Sequence, residues 1–163
     1  MKIDWQSLKP VQGCLLTGIY ANQLNVYQYN NFLDLQTIQL ILKIKNPHSL
    51  EFWYWKIDWF EDEIGDDFLI IEEQETPEPI EYIYDSEIAP NQHLLMSSSF
   101  SVEQNKIKKV SGYGYKDEKS QILTSIVFEL EKSFISITTG AVITTKITEK
   151  EPEDLGDLIF PCD

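Results

Sequence analysis

Residues 122–148 read ILTSIVFELEKSFISITTGAVITTKIT, and the alternation of their side chains predicts paired β-strands. Valine, isoleucine, threonine and phenylalanine fill the run, as strands prefer. Glu131-Lys132 and Gly140 divide it into three pieces joined by short connections. Three strands in series joined in this way predict an antiparallel β-meander in the C-terminal half. In the first piece, period two places five residues on one face: Ile122, Thr124, Ile126, Phe128 and Leu130.

The same pattern continues on both sides of this run. Upstream, residues 107–115 form a strand candidate that ends in Gly112-Tyr113-Gly114, a glycine pair that indicates a bulge or a turn. Residues 37–45 alternate so that Ile38, Leu40, Leu42 and Ile44 share one face, and Asn46-Pro47 ends that strand. Two further strands are predicted at residues 50–60 and 68–71.

Helix signals are scarce. Residues 101–104 resemble a capping box, and residues 148–157 have the residue types of a single helical turn that Gly156 would end. We therefore predict a mainly β fold, with antiparallel sheets forming a twisted sandwich or partial barrel and one or two short helices at most. Residues 1–163 are expected to form a single domain.

Composition limits the function classes. The chain carries 27 acidic residues against 13 basic ones, a net charge of −14, so we expect neither nucleic acid nor an anionic membrane as a partner. All thirteen basic residues are lysine, so no arginine is present to clamp a carboxylate or a phosphate. The first residues have no signal-peptide pattern and no apolar run has membrane-spanning length, which favours a cytoplasmic location.

Metal and cofactor chemistry finds little support in the sequence. His48, His93, Cys14 and Cys162 are scattered without the spacing of zinc ligands. The two cysteines are expected to be free thiols, although a bridge between them remains an alternative. No glycine-rich phosphate loop and no nucleophile elbow occurs. We expect no cofactor and no metal, and the sequence leans away from an enzyme without excluding a carboxylate-based active site.

Charge is distributed unevenly along the chain. No lysine lies between Lys56 and Lys106, and residues 61–87 hold twelve carboxylates. Just before this acidic block stands an aromatic cluster at residues 52–60, FWYWKIDWF. Period two predicts that Trp53, Trp55 and Trp59 face the core, which leaves Tyr54 as the expected exposed aromatic residue.

These features give three hypotheses. The first is a non-catalytic binding protein that uses its acidic surface to engage a basic protein, in one version an immunity or antitoxin-type inhibitor of a basic toxin. The second is a carbohydrate-binding module or a small sugar-acting enzyme, and the third is an accessory structural β-domain whose charge serves solubility. Oligomeric state is left open. The first hypothesis assigns partner binding to Tyr54, Asp58, Glu61, Asp62, Glu63, Asp66 and Asp67.

Overall fold

The computed structural model describes residues 7–29, 32–77 and 105–161. Within these ranges the chain is built of antiparallel β-strands and contains no α-helix, which confirms the mainly β prediction. The strands are β1 (Leu15–Tyr29), β2 (Phe32–Lys45), β3 (Phe52–Glu61), β4 (Asp67–Gln74), β5 (Lys109–Lys116), β6 (Gln121–Glu129), β7 (Phe134–Thr138), β8 (Ile143–Thr148) and β9 (Asp157–Phe160).

The strands form one curled sheet, a half-barrel, in the order β4-β3-β2-β8-β7-β6-β5-β9. Strand β2 is its central element. Residues 40–45 of β2 pair with β3, residues 33–37 pair with β8, and β1 pairs with β2 over nearly its whole length. The C-terminal meander is confirmed, because β5 to β8 pair in sequence.

The inward face of β2 changes parity where the strand passes from one neighbour to the other. Leu33 and Leu35 face the core beside β8, whereas Leu40, Leu42 and Ile44 face it beside β3. The prediction that Ile38 shares the core face of residues 40–44 is wrong, since Ile38 is only half-buried and lies at the change. A shift of one residue turns every following side chain to the other face.

A β-bulge has the same effect between β5 and β6. Tyr113 pairs with Ser125 but Gly114 pairs with Leu123, so β6 holds one extra residue at this point. The glycine pair 112–114 predicted a bulge or a turn, and the structure has a bulge at Gly114 with the extra residue on the facing strand β6. Because of it, Leu123 joins Ile126, Phe128 and Leu130 in the core, and the prediction that Ile122 and Thr124 share their face is wrong.

The core lies on the concave side of the half-barrel. Trp53 and Trp55 of β3 point into it, as predicted, and the Trp55 ring lies 6.1 Å from the ring of Phe128 on β6. This contact joins β3 to β6, which three strands (β2, β8 and β7) separate in the sheet order. Val11 and Cys14 are also buried in the core, so the segment before β1 covers part of it. Apolar burial of this kind is the main source of folding free energy.

The expected helical turn at residues 148–157 is absent. The Thr148 hydroxyl donates to the Lys150 carbonyl at 2.8 Å, and Asp154 and Gly156 have φ angles of 59° and 94°. Left-handed backbone at two positions is incompatible with a right-handed helix. Residues 149–156 instead cross to β9, which pairs with β5. The capping box at residues 101–104 lies outside the described residues.

Cys14, the last residue before β1, is a buried free thiol, and Cys162 lies outside the described residues. The Cys14 Sγ–H donates to the Pro10 carbonyl at 3.7 Å. Burial, and to a smaller extent the charge of Glu51, raise the pKa of the Cys14 thiol. A thiol that is both buried and held protonated is a poor nucleophile.

We therefore expect Cys14 to react with a disulfide reagent such as DTNB on the order of tenfold or more slowly than an exposed thiol. The measurement uses a Cys162→Ser variant at mildly alkaline pH, so that Cys14 is the sole cysteine. A chain that carries Cys14→Ser, Cys162→Ser and Ser49→Cys supplies the exposed comparison, because Ser49 lies in an exposed turn. Equal labelling rates would contradict the burial of Cys14.

Candidate functional site

The β3–β4 hairpin turns through a short loop that Asp62 organises. The Asp62 side chain accepts hydrogen bonds from the backbone N–H groups of Ile64 at 3.0 Å and Asp66 at 2.8 Å. The Asp62 N–H donates to the Asp66 carbonyl at 2.9 Å, and Gly65 takes a φ of 89° that favours glycine. One carboxylate is thus used to close the loop and present its neighbours.

We name residues 60–68, at this end of the hairpin, the hairpin tip. An apolar patch lies on it. Phe60 and Phe68 are cross-strand partners whose rings stack with centroids 6.2 Å apart and planes at 29°. Phe60 is 48% exposed, and Ile64 in the loop is 82% exposed. Large apolar side chains this exposed and this close together are typical of contact surfaces.

Carboxylates surround this patch. Glu61 of β3 stands directly opposite Asp67 of β4, and like charges opposite one another destabilise a hairpin. Lys56 is the nearest lysine in sequence, so the hairpin tip itself contains no cation. Its net charge is therefore −5, from the residues Glu61, Asp62, Glu63, Asp66 and Asp67.

The structure places the seven predicted partner-binding residues at three separate positions. The hairpin tip holds five of them, and Glu61, Glu63 and Asp66 are exposed there. Asp58 is half-buried, where it accepts hydrogen bonds from the Gln39 side chain at 2.5 Å and the Trp59 N–H at 2.8 Å. Asp58 therefore has a structural role in holding β3 to β2.

Tyr54 lies apart from both the hairpin tip and Asp58. It is half-buried and lies seven residues before Glu61, which is ~23 Å along an extended strand. Burial, together with the nearby Tyr20, raises the pKa of the Tyr54 phenol. The aromatic residue beside the acidic surface is instead Phe60, with Phe68. Sequence reasoning could have found Phe60, since it shares the face of Tyr54 in period two.

The three tryptophans in the described part of the chain, Trp53, Trp55 and Trp59, offer no platform for stacking on a sugar ring. Trp53 and Trp55 are almost completely buried, and Trp59 is half-buried against the core. Stacking of this kind needs an accessible ring face. The sugar-binding hypothesis therefore gains no support from Trp53 and Trp55, which are buried as the sequence predicted.

Another candidate surface lies on the outer face of β7 and β8. It is an open groove of about 530 Å³ between these strands and the segment that follows β8. Hydroxyl groups, two lysines and two glutamates line it, with no aromatic side chain. Its mixed charges do not select one class of ligand. Within residues 7–29, 32–77 and 105–161, no group of three or more histidine, cysteine or carboxylate side chains is placed to hold a metal ion.

No protein family, no curated protein and no solved structure matches this chain. In the part of the chain that the structure describes, no helix has the length and apolar character needed to cross a bilayer. The hairpin tip must therefore be interpreted from its own geometry, as an exposed aromatic and aliphatic patch beside five carboxylates, with no lysine among its own nine residues.

Proposed function

We propose that the protein is a non-catalytic binding protein whose hairpin tip engages a basic protein partner. The observation that carries the proposal is the half-exposed Phe60–Phe68 pair set among five carboxylates. An apolar anchor supplies binding free energy when it is desolvated, and the surrounding charges select and orient the partner. In its concrete form, the partner is a basic toxin such as a nuclease, and the protein is its cytoplasmic immunity or antitoxin-type inhibitor.

Charge complementarity favours this class of partner. A chain with a net charge of −14 attracts cationic proteins over several ångströms, and the hairpin tip concentrates five negative charges in nine residues. This chain has no arginine, so the planar guanidinium groups that pair with carboxylates in a bidentate way must come from the partner. Exposed phenylalanine rings are also good stacking surfaces for a guanidinium.

The five carboxylates have different roles in the proposal. Asp62 closes the loop, so its substitution would change the shape of the hairpin tip. Glu61 and Glu63 are exposed, and we assign them direct pairing with the partner. Replacing these two glutamates by glutamine keeps the size of each side chain and removes two charges, which makes it the cleanest test of the surface.

We expect the Glu61→Gln/Glu63→Gln variant to bind the basic partner about tenfold or more weakly, because two charge-assisted contacts are lost. The partner is captured from a lysate of the native host at low salt, identified, and titrated against the purified chain by calorimetry. Affinity of the unsubstituted chain should fall as salt is raised, since salt screens exposed charges.

The matched control is Glu118→Gln/Glu131→Gln, which removes two exposed carboxylates from turns elsewhere in the fold and should leave the affinity unchanged. If no basic protein is retained at low salt, the proposal is wrong. If a basic protein is retained equally by both variants, the charge of the hairpin tip serves solubility alone. A captured toxin should lose its activity when the chain is added in equimolar amount.

A further inference from the structure

A second exposed surface lies at the distal end of the β1–β2 hairpin, and it has the opposite electrostatic character. Residues 10–33 contain no charged side chain, the longest such run in a chain where one residue in four is charged. All five residues at the end of β1, positions 25–29, are exposed. We name these five residues, NVYQY, the neutral arm.

Aromatic side chains dominate the neutral arm. Tyr27 is 59% exposed and Tyr29 is 64% exposed. The Tyr27 ring meets the ring of Phe32 on β2 edge-on, with centroids 6.3 Å apart. Tyrosine is among the residue types enriched at binding hot spots, because it combines a rigid apolar ring with a hydroxyl that both donates and accepts.

Natural sheets protect their long outer strands with charge. The outer strand β4 carries Asp67, Glu72 and Glu73, and the short strand β9 begins at Asp157. The neutral arm has no such protection, although β1 is the longest strand of the sheet. The nearest carboxylate in sequence, Asp34, stands opposite Tyr27 on β1 and opposite Lys146 on β8. An exposed, uncharged strand end is a ready site for protein association.

We propose that the neutral arm is a contact between two copies of this chain. Two chains that each carry a charge of −14 repel one another, and the repulsion is least where no carboxylate is presented. A two-fold contact also requires a surface that is complementary to itself. Phenol hydroxyls and the amides of asparagine and glutamine meet this requirement since each can donate and accept, whereas a carboxylate patch does not.

A basic protein is a poorer occupant of the neutral arm. It would gain no charge pairing at residues 25–29, whereas the hairpin tip offers it five carboxylates. The two surfaces therefore respond to salt in opposite directions. Salt weakens binding of a cationic partner at the hairpin tip, and it strengthens contact between two like-charged copies at the neutral arm by screening their repulsion.

The test is sedimentation velocity on the full chain over a range of concentrations, at about 0.1 M and about 1 M sodium chloride, where the Debye length is ~10 Å and ~3 Å. Because the contact is small, we expect a weak dimer whose fraction rises with protein concentration and with salt. The Tyr27→Asp/Tyr29→Asp variant places two charges on the neutral arm. Its dimer dissociation constant should be about tenfold or more higher.

The control is Leu50→Asp, which replaces an even more exposed apolar residue in the β2–β3 turn and should dimerise like the unsubstituted chain. Circular dichroism checks that both variants are folded. A chain that remains monomeric at every concentration and salt overturns the proposal, as does a Tyr27→Asp/Tyr29→Asp variant that still dimerises. This variant should keep its affinity for a basic partner at the hairpin tip, so the two proposals can fail separately.

Discussion

Replacing Gly114 by alanine is expected to destabilise the folded protein by about 3 kcal/mol or more. Gly114 lies at the bulge between β5 and β6, where its Cα faces the backbone of the neighbouring strand. A Cβ atom built there would overlap the Ile122 carbonyl oxygen and approach the Thr124 nitrogen at 2.9 Å. These are backbone atoms held in the ladder, so they cannot move aside as a flexible side chain can. Urea unfolding followed by tryptophan fluorescence measures the loss.

Gly140→Ala is the matched control for this substitution. A Cβ atom at Gly140 would lie 3.6 Å from the Val142 carbonyl oxygen, an ordinary contact, and the φ of Gly140 is not positive. We expect a change within about 0.5 kcal/mol for Gly140→Ala. If the loss of stability in Gly114→Ala is equally small, β5 and β6 do not approach each other as closely at the bulge as described.

Most of the strands that sequence reasoning located have a period of two, and residues 68–71 were located as a short apolar run. The pieces of the meander and the strands at residues 37–45, 50–60 and 68–71 all appear in the structure within a few residues. Strand β1 was missed because its register against β2 shifts between Leu16 and Gly18, between Ala21 and Gln23 and again before Asn25. Each shift interrupts the alternation that identifies a strand.

Faces were harder to predict than strands. Ile38 and Ile122 have the residue type of a core position and the correct spacing to their neighbours, yet neither joins the core cluster. In both cases the strand changes parity within its length, at the transfer of β2 from β8 to β3 and at the bulge opposite Gly114. Such changes follow from tertiary pairing, and a period of two carries no information about them.

The candidate site was predictable in charge but not in shape. The acidic block from Glu61 onwards is visible in composition alone. That Asp62 would be used to close the loop depends on backbone geometry at Ile64 and Asp66. The pairing of Phe60 with Phe68 depends on the hairpin register, which the sequence did not fix because no two-residue turn signal separates the strands.

Phe128 on β6 packs against β3, from which three strands separate it in the sheet order, and its loss should have the other large effect on stability. Its side chain is fully buried, and its ring meets Trp55 across the concave core. We expect Phe128→Ala to cost about 3–5 kcal/mol, from lost apolar burial and the cavity left behind. A domain of this size has about 5–15 kcal/mol of stability in total, so the variant should unfold at much lower urea concentration.

Phe60→Ala makes the same substitution in the hairpin tip, where its effects on stability and on binding can be measured separately. Its ring is about half exposed and stacks on Phe68, so we expect a loss of only about 1 kcal/mol in the free energy of unfolding. Affinity for a basic partner should nevertheless fall about tenfold or more, because a desolvated aromatic anchor is lost. A Phe60→Ala chain that binds normally would assign the phenylalanine pair to hairpin stability alone. The carboxylates would then carry recognition without an apolar anchor, and salt would abolish binding almost completely.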